Sequence, residues 1–408
     1  MADELDVWLY GIRVASVRRQ GGRLRLAYTD DAFERFPLGA PLLSMSLPLT
    51  SGPHSQGVVR PFLDGLLPEG ESRAVVANDF GVYRDDTFGL VRALGRECAG
   101  AVVIQPAGEG PPPPATTLTA ERLSETDIES LVADLRSAPL GVGERVRISL
   151  AGVQEKLLLT RMPDGSWGRP VDGTPSTHII KPAIDRFPGS VENEAFCMRL
   201  ARNLELPCAS VETMMVGDRK VLVVQRYDRA VAADGSVERI HQEDMCQALS
   251  IVADRKYESD GGPSLRQIAE LLQVATRPDS LEALLRAVTL NVAIGNDDAH
   301  GKNFSLLHDP QGVIRLAPLY DLLSTSVYDV SNQLAMFIDT VQRMERVTSD
   351  RIVNEAVGWG MSANRARGIV EDLIDRIPLA ADHAAEKTEG LSPAVIEVVE
   401  SQIKHLGP

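Results

Sequence analysis

The sequence predicts an α+β fold, with a β-rich N-terminal unit, a second small sheet, and a larger helical half. Three observations carry this. Residues 5 to 28 alternate apolar and polar side chains in LDVWLY and RLRLAY around Gly21-Gly22, the signature of strands joined by a glycine turn. From about residue 145 to 228 the runs RVRISL, KLLLT, HIIK, VETMMV and KVLVVQRY are strand-like, with one helical stretch at Glu194 to Leu204. Beyond residue 240 the apolar spacing settles near 3.6.

In chain order, the first unit spans residues 1–106, opens as a β-hairpin and goes on through short strands and helices to Val103-Ile104. PAGEGPPPPATT (106 to 117) then reads as linker, because consecutive prolines feed neither a ladder nor a helix interior. Within the connecting stretch 107–139, Thr126 and Glu129 suit a capping box. Ile128, Leu131, Val132 and Leu135 share one helical face, and Pro139-Leu140-Gly141 ends the helix. Residues 140–228 form the small sheet with its helix. Residues 229–408 form the helical part, in which Asp279-Ser280-Leu281-Glu282 caps a helix carrying Leu281, Leu284, Leu285, Val288 and Val292 and stopping at Gly295. No repeat of roughly 20 to 50 residues argues for a solenoid or propeller.

Composition bounds the function. The 408 residues leave room for two or three domains, and 44% apolar with 24% charged residues is ordinary for a folded soluble protein. A net charge of −15 disfavours binding nucleic acid or anionic membrane unaided. Four cysteines without a CxxC pair read as reduced thiols. With no leader pattern and no long apolar stretch, a cytoplasmic protein is expected.

The chemistry concentrates where the helix at 280 should end, in Asn296-Asp297-Asp298-Ala299-His300-Gly301-Lys302-Asn303. Two short strands, NFSLL and GVIRLAP, flank the turn Asp309-Pro310-Gln311-Gly312, and folding the chain there brings Asp321 beside Asn303 and the Asp298 loop. Hard oxygen donors in this number suit Mg²⁺. Asp298 and Asn303 also have the D-x-x-x-x-N spacing of a kinase catalytic loop, in which the Asp accepts the hydroxyl proton and the Asn holds metal, a further metal Asp coming downstream. That spacing occurs often by chance, and by itself it favours a loop cap.

The order of parts upstream shifts the balance. Ser149 to Lys156 joins two strand-like runs through small residues that let backbone N–H groups approach an anion. Lys181 ends the apolar run HIIK, either as a snorkelling edge residue or as an ammonium needing a partner, and Glu194 on the next helix is the candidate. Gln225-Arg226-Tyr227 ends a strand at the handover to the helical half, where an adenine would be gripped. No G-x-x-x-x-G-K-[ST] exists, and Gly141 to Val146 lacks the dinucleotide fingerprint. His178 and His241 read as structural, whereas His300 lies inside the polar loop.

With ISLAGVQEK, HIIKP, NEAFCMRLA, QRYDR, HQEDMCQAL, GNDDAHGKNFSLL, LAPLYDLLST and the N-terminal PFLDGLLPEGESR in place, the chain resembles the HipA family of serine/threonine kinase toxins from toxin–antitoxin operons. The resemblance implies a two-lobed protein-kinase-like fold with an additional N-terminal domain. It implies that Ala151, Gly152, Val153, Gln154, Glu155 and Lys156 cradle the phosphates, and that Lys181 binds the α/β-phosphates with Glu194 as its ion-pair partner. Gln225, Arg226 and Tyr227 would line the adenine, and Asp298 would be the catalytic aspartate. His300, Lys302, Asn303 and Asp321 would complete the ATP site, the last two holding Mg²⁺, and Ser149 would be autophosphorylated. It also implies a HipB-like helix-turn-helix antitoxin, contact with DNA only through that partner, no membrane, and a protein substrate of the aminoacyl-tRNA synthetase class whose modification arrests growth. The sequence departs from protein kinases at large in lacking His-Arg before Asp298 and in placing Asp321 in Tyr-Asp-Leu. Two other readings stand beside this one, a small-molecule phosphotransferase and a catalytically inactive corepressor.

Overall fold

A computed structural model describes residues 3–113, 120–142, 146–232, 235–277, 279–328 and 330–407. Strands β1 (Glu4–Leu9), β2 (Ile12–Gln20) and β3 (Arg23–Tyr28) form an antiparallel meander, and β4 (Val102–Pro106) closes on β1, giving the order β3-β2-β1-β4. The hairpin expected around Gly21-Gly22 is thus the second of two. Tyr10 and Gly11 make the first turn, both at positive φ (51° and 78°), as a two-residue hairpin loop of the mirror-image type requires. The sequence pattern does not mark β2, because arginines at 13, 18 and 19 hide the buried Val14, Ala15 and Val17. Four helices, α1 (Asp30–Arg35), α2 (Gln56–Gly65), α3 (Gly70–Asp79) and α4 (Thr87–Leu94), accompany this sheet, and Leu5, Val17, Leu26, Phe62, Phe88 and Ile104 belong to the shared core.

The second sheet is built from β5 (Ala120–Arg122), β6 (Leu157–Arg161), β7 (Trp167–Pro170), β8 (His178–Pro182), β9 (Val211–Val216) and β10 (Arg219–Gln225), in the order β5-β7-β6-β8-β10-β9. Helix α5 (Glu125–Ala133) packs Ile128 and Val132 into the same core as Leu159, Trp167, Ile180 and Val223. The part of the connecting stretch from 120 on is therefore built into the lobe, while Pro114 of the proline run lies outside the described residues. The capping box of α5 is Ser124 with Asp127, two residues before the expected Thr126 and Glu129, because Ser124 has the extended backbone that lets its Oγ accept from the Asp127 amide. RVRISL is no strand of this sheet: Arg145 lies outside the described residues, and Ile148 makes only an isolated bridge to Glu97 of the first unit. Helix α6 (Ser190–Asn203) packs beneath β9 and β10.

The third part starts with β11 (Arg229–Val231), β12 (Val237–Arg239), β13 (His241–Asp244) and α7 (Met245–Ala248), then α8 (Leu265–Ala275) and α9 (Ser280–Ala293). Strands β14 (Ser305–His308) and β15 (Ile314–Leu316) form the anticipated hairpin and extend β13, while β16 (Gln333–Ile338) pairs with β17 (Val341–Arg343). Helices α10 (Ser349–Gly358), α11 (Ala363–Glu386) and α12 (Pro393–Leu406) complete it. Asp279 does not cap α9: its backbone is already helical (φ −70°, ψ −15°), so its carboxylate makes no capping bond, and Glu282 pairs instead with Arg365 at 2.7 Å. Helix α9 does end at Gly295, whose φ of 65° suits a glycine. Among the described residues no helix is long and apolar enough to cross a membrane.

Candidate active site

Strand β8 sits between β6 and β10, so Lys181, opposite Leu222, points from the middle of the sheet into the cleft. It is buried, and its ammonium is enclosed by acid. Nζ donates to Glu194 Oε1 at 2.7 Å and Oε2 at 2.9 Å, and to Asp321 Oδ1 at 2.6 Å. Helix α6 supplies Glu194, and the segment after β15 supplies Asp321. Burial alone pulls the Lys181 ammonium toward neutrality, but Asp321 and Glu194 outweigh it and hold the charge above the usual lysine range. Burial likewise pushes Asp321 up, and Lys181 more than reverses this, keeping the half-exposed carboxylate ionised. Burial raises the Glu194 carboxyl.

Asp321 adopts a left-handed backbone (φ 58°), a conformation in which Asp is enriched among non-glycine residues. Its second oxygen accepts the Asn303 amide at 2.9 Å, and the Asn303 Oδ1 accepts the His300 N–H at 3.3 Å. Asp298 opens to solvent beside them, with Oδ1 accepting the Tyr257 hydroxyl at 2.9 Å. Crowding by protein raises its carboxyl, although the Tyr257 hydrogen bond and Lys256 pull it back. His300 is buried against the Tyr257 ring, with centroids 5.4 Å apart, and its Nδ1 meets no partner. Burial and Lys256 push the imidazole down to about 3, so it is neutral at ordinary pH.

The loop 151–156 faces this group. Gly152 has φ 119°, and a Cβ there would stand 2.3 Å from Lys156 Nζ, so the position demands glycine. Lys156 donates to the Ala151 carbonyl at 2.7 Å, and burial beside Lys181 lowers it to about 8. Val153 is exposed, Gln154 donates to the Pro182 carbonyl at 3.2 Å, and Glu155 pairs with Arg136 at 3.1 Å. Ser149 is fully buried, its Oγ donating to the Leu66 carbonyl at 2.5 Å.

Not every expected residue joins the cluster. Gln225 is exposed at the end of β10 and Tyr227 donates its hydroxyl to Gln242, but the Arg226 guanidinium turns into the interior. There it meets Asp228 at 2.7 Å and Glu97 at 3.2 Å, so only the main chain of Arg226 is left to line a nucleotide. The Lys302 ammonium is likewise committed below the loop, to Asp244 at 2.6 Å and Glu69 at 3.7 Å. Tyr257, Lys256, Asp244 and Glu69 support the site without any spacing in the sequence that marks them. His241 bonds the Leu43 carbonyl and His178 sits edge-on to Trp167, both bracing the framework.

Among the described residues no three His, Cys, Asp or Glu side chains form a metal cage. Mg²⁺ bound chiefly through water and phosphate asks for less: one ionised carboxylate and one amide oxygen. Asp321 and Asn303 fit that demand, since among the described residues the cation paired with Asp321 is the Lys181 ammonium.

A model of the HipA N-terminal domain matches residues 5–105, and one of the HipA-like C-terminal domain matches residues 148–381. The chain belongs to the HipA family. A Sinorhizobium fredii relative that bears the name "Putative kinase Y4mE" is 41% identical over 95% of this chain and 93% of its own. The serine/threonine-protein kinase toxin HipA of Shewanella oneidensis is 32% identical over 83% of this chain and 79% of its own. A solved Shewanella oneidensis MR-1 complex of HipA, HipB and operator DNA superposes with a TM-score of 0.83 at 27% identity, covering 98% of this chain and 95% of that one. The two-lobed arrangement with an added N-terminal domain is thus the HipA fold.

Proposed function

We propose that this HipA-family chain is a serine/threonine protein kinase that transfers the γ-phosphoryl of Mg-ATP to a protein hydroxyl. The observation that carries the reading is Lys181 held between Glu194 and Asp321, with Asn303 on the same carboxylate. Phosphoryl transfer asks the protein mainly for positioning and charge stabilisation, and this is the set it uses. Lys181 leaves Asp321 for the α/β-phosphates while Glu194 keeps it aimed. The amides of Ala151 to Lys156 approach the phosphates around Gly152, and the main chain at Gln225 to Tyr227 borders the adenine. Asp298, turned by the Tyr257 hydroxyl, orients the acceptor hydroxyl and takes its proton. Asp321 and Asn303 would hold the metal, which supplies charge neutralisation between the phosphates when bound.

The family supports further parts of the reading. Ser149 is the expected autophosphorylation site, and its burial against the Leu66 carbonyl means that the loop must leave this position first. A HipB-like antitoxin is the expected partner, which suits a chain of charge −15 that reaches operator DNA only through another protein. Growth arrest through an aminoacyl-tRNA synthetase is the expected consequence, in the cytoplasm. Incubating the purified chain with γ-labelled ATP and Mg²⁺ and mapping the label tests the assignment. Label on protein serine or threonine is expected, label only on a small molecule would favour the small-molecule phosphotransferase, and no turnover would favour the inactive corepressor.

A further inference from the structure

Glu69 belongs to the N-terminal unit, 187 residues along the chain from Lys256, whose ammonium it accepts. It occupies the N-cap position of α3, where a side chain ordinarily satisfies the helix's own amides, yet it makes no capping bond. The carboxylate instead passes into the C-terminal half, where Oε2 accepts Lys256 Nζ at 3.2 Å and Oε1 stands 3.7 Å from Lys302 Nζ. A buried carboxylate is costly without such partners. Both lysines belong to the machinery around the base. Lys302 lies between Asp298 and Asn303, the Lys256 carbonyl accepts the Gly301 N–H at 3.2 Å, and the next residue, Tyr257, holds Asp298. The main chain of Glu69 also reaches the other side of the cleft, its N–H donating to the Gly152 carbonyl at 3.3 Å.

We infer that Glu69 is a positioning residue of the active site, by which the N-terminal unit sets the catalytic loop through Lys256 and Lys302 while its backbone steadies the phosphate loop. The inference rests on the kinase reading. It separates the two contacts, because a side-chain substitution removes the first and leaves the N–H to Gly152. In the full chain, Glu69→Gln is expected to lower kcat about 10-fold, since small misplacements of a catalytic group cost on this scale, with KM for ATP changed less than about 2-fold. In a Lys256→Met background the same substitution is expected to change kcat less than about 3-fold, because the hydrogen-bonded arm of its route is already cut and the 3.7 Å contact with Lys302 is what remains. Hydrogen exchange over residues 297–304 is expected to quicken in Glu69→Gln, and Glu69→Asp, which keeps the charge, is expected to fall between the two. Full multiplication of the two effects, a rise in KM with kcat preserved, or unchanged exchange at 297–304 would each overturn the inference. The exchange measurement needs no turnover, so it decides on Glu69 even where absent phosphotransfer by the wild-type chain sinks the kinase reading.

Discussion

At the scale of single residues, the two acidic groups of the cleft have different environments and should fail differently. Asp298→Asn removes a proton acceptor, and kcat is expected to fall by about 10² to 10⁴ with nucleotide affinity nearly intact. Asp321→Asn removes the charged member of the metal pair, so Mg-ATP affinity should fall in calorimetric titration as turnover is lost. Near-wild-type turnover of Asp298→Asn would defeat its assignment as base. Lys181→Met should abolish nucleotide binding, and Lys181→Arg should do little better, because a planar fork does not fit between two carboxylates arranged around a compact ammonium. Retained ATP affinity in both lysine variants would show that Lys181 serves only its ion pairs with Glu194 and Asp321. Asp298, Asn303 and Asp321 were readable in the sequence from the D-x-x-x-x-N spacing and the hairpin that follows it, and Lys181, with Glu194 as its candidate partner, from a charge interrupting an apolar pattern. Arg226 and Lys302 interrupt it just as visibly, and their partners Glu97 and Asp244, far away in sequence, decide where their charges go.

Among the elements, the loop 151–156 is constrained at Gly152. Gly152→Ala meets both a positive φ and Lys156 Nζ, and backbone strain of this kind costs about 1 to 3 kcal/mol. That corresponds to a loss of roughly 5- to 150-fold in ATP affinity if the loop must hold this backbone to bind, while a titration matching wild type would show that its amides do not cradle the phosphates. The long amphipathic helices and the hairpin after the catalytic loop were legible because a stretch of regular period identifies itself. Strands β2, β5 and β7 were not: β2 carries arginines on its outer face, and the other two are short strands near the sheet's edge whose pairing comes from residues far along the chain.

For the whole molecule, a cluster of buried charge helps to fasten the N-terminal unit to the rest. Glu97 accepts Arg226 at 3.2 Å, Arg229 at 2.9 Å and Arg239 at 2.7 Å, while Asp228 meets Arg229 at 2.8 Å and the Gly100 amide at 2.7 Å. Burial alone would raise the Glu97 carboxyl, but the three arginines overcome it and bring it down to about 2 from 4.5. A carboxyl depressed on folding stabilises the native state at pH values above its unfolded pKa. That contribution should therefore be complete above about pH 4.5 and disappear as the pH falls toward 2. Breaking a buried ion pair costs about 3 to 5 kcal/mol, so Glu97→Gln should lower Tm at pH 7 and flatten its dependence on acid. A Tm at pH 7 equal to that of wild type would show that the cluster does not hold the parts together.

The contact between Lys181 and Asp321 also has a bearing on synthesis. The two lie 140 residues apart, so a growing chain carries the lysine, and Glu194 beside it, long before Asp321 exists. At about 5 to 20 residues per second, that interval lasts roughly 7 to 28 s, during which the Lys181 side of the cleft is present and the Asp321 side is not. A ribosome releasing this polypeptide early would liberate a fragment unable to assemble the site, so its chemistry can begin only after most of the molecule has been made.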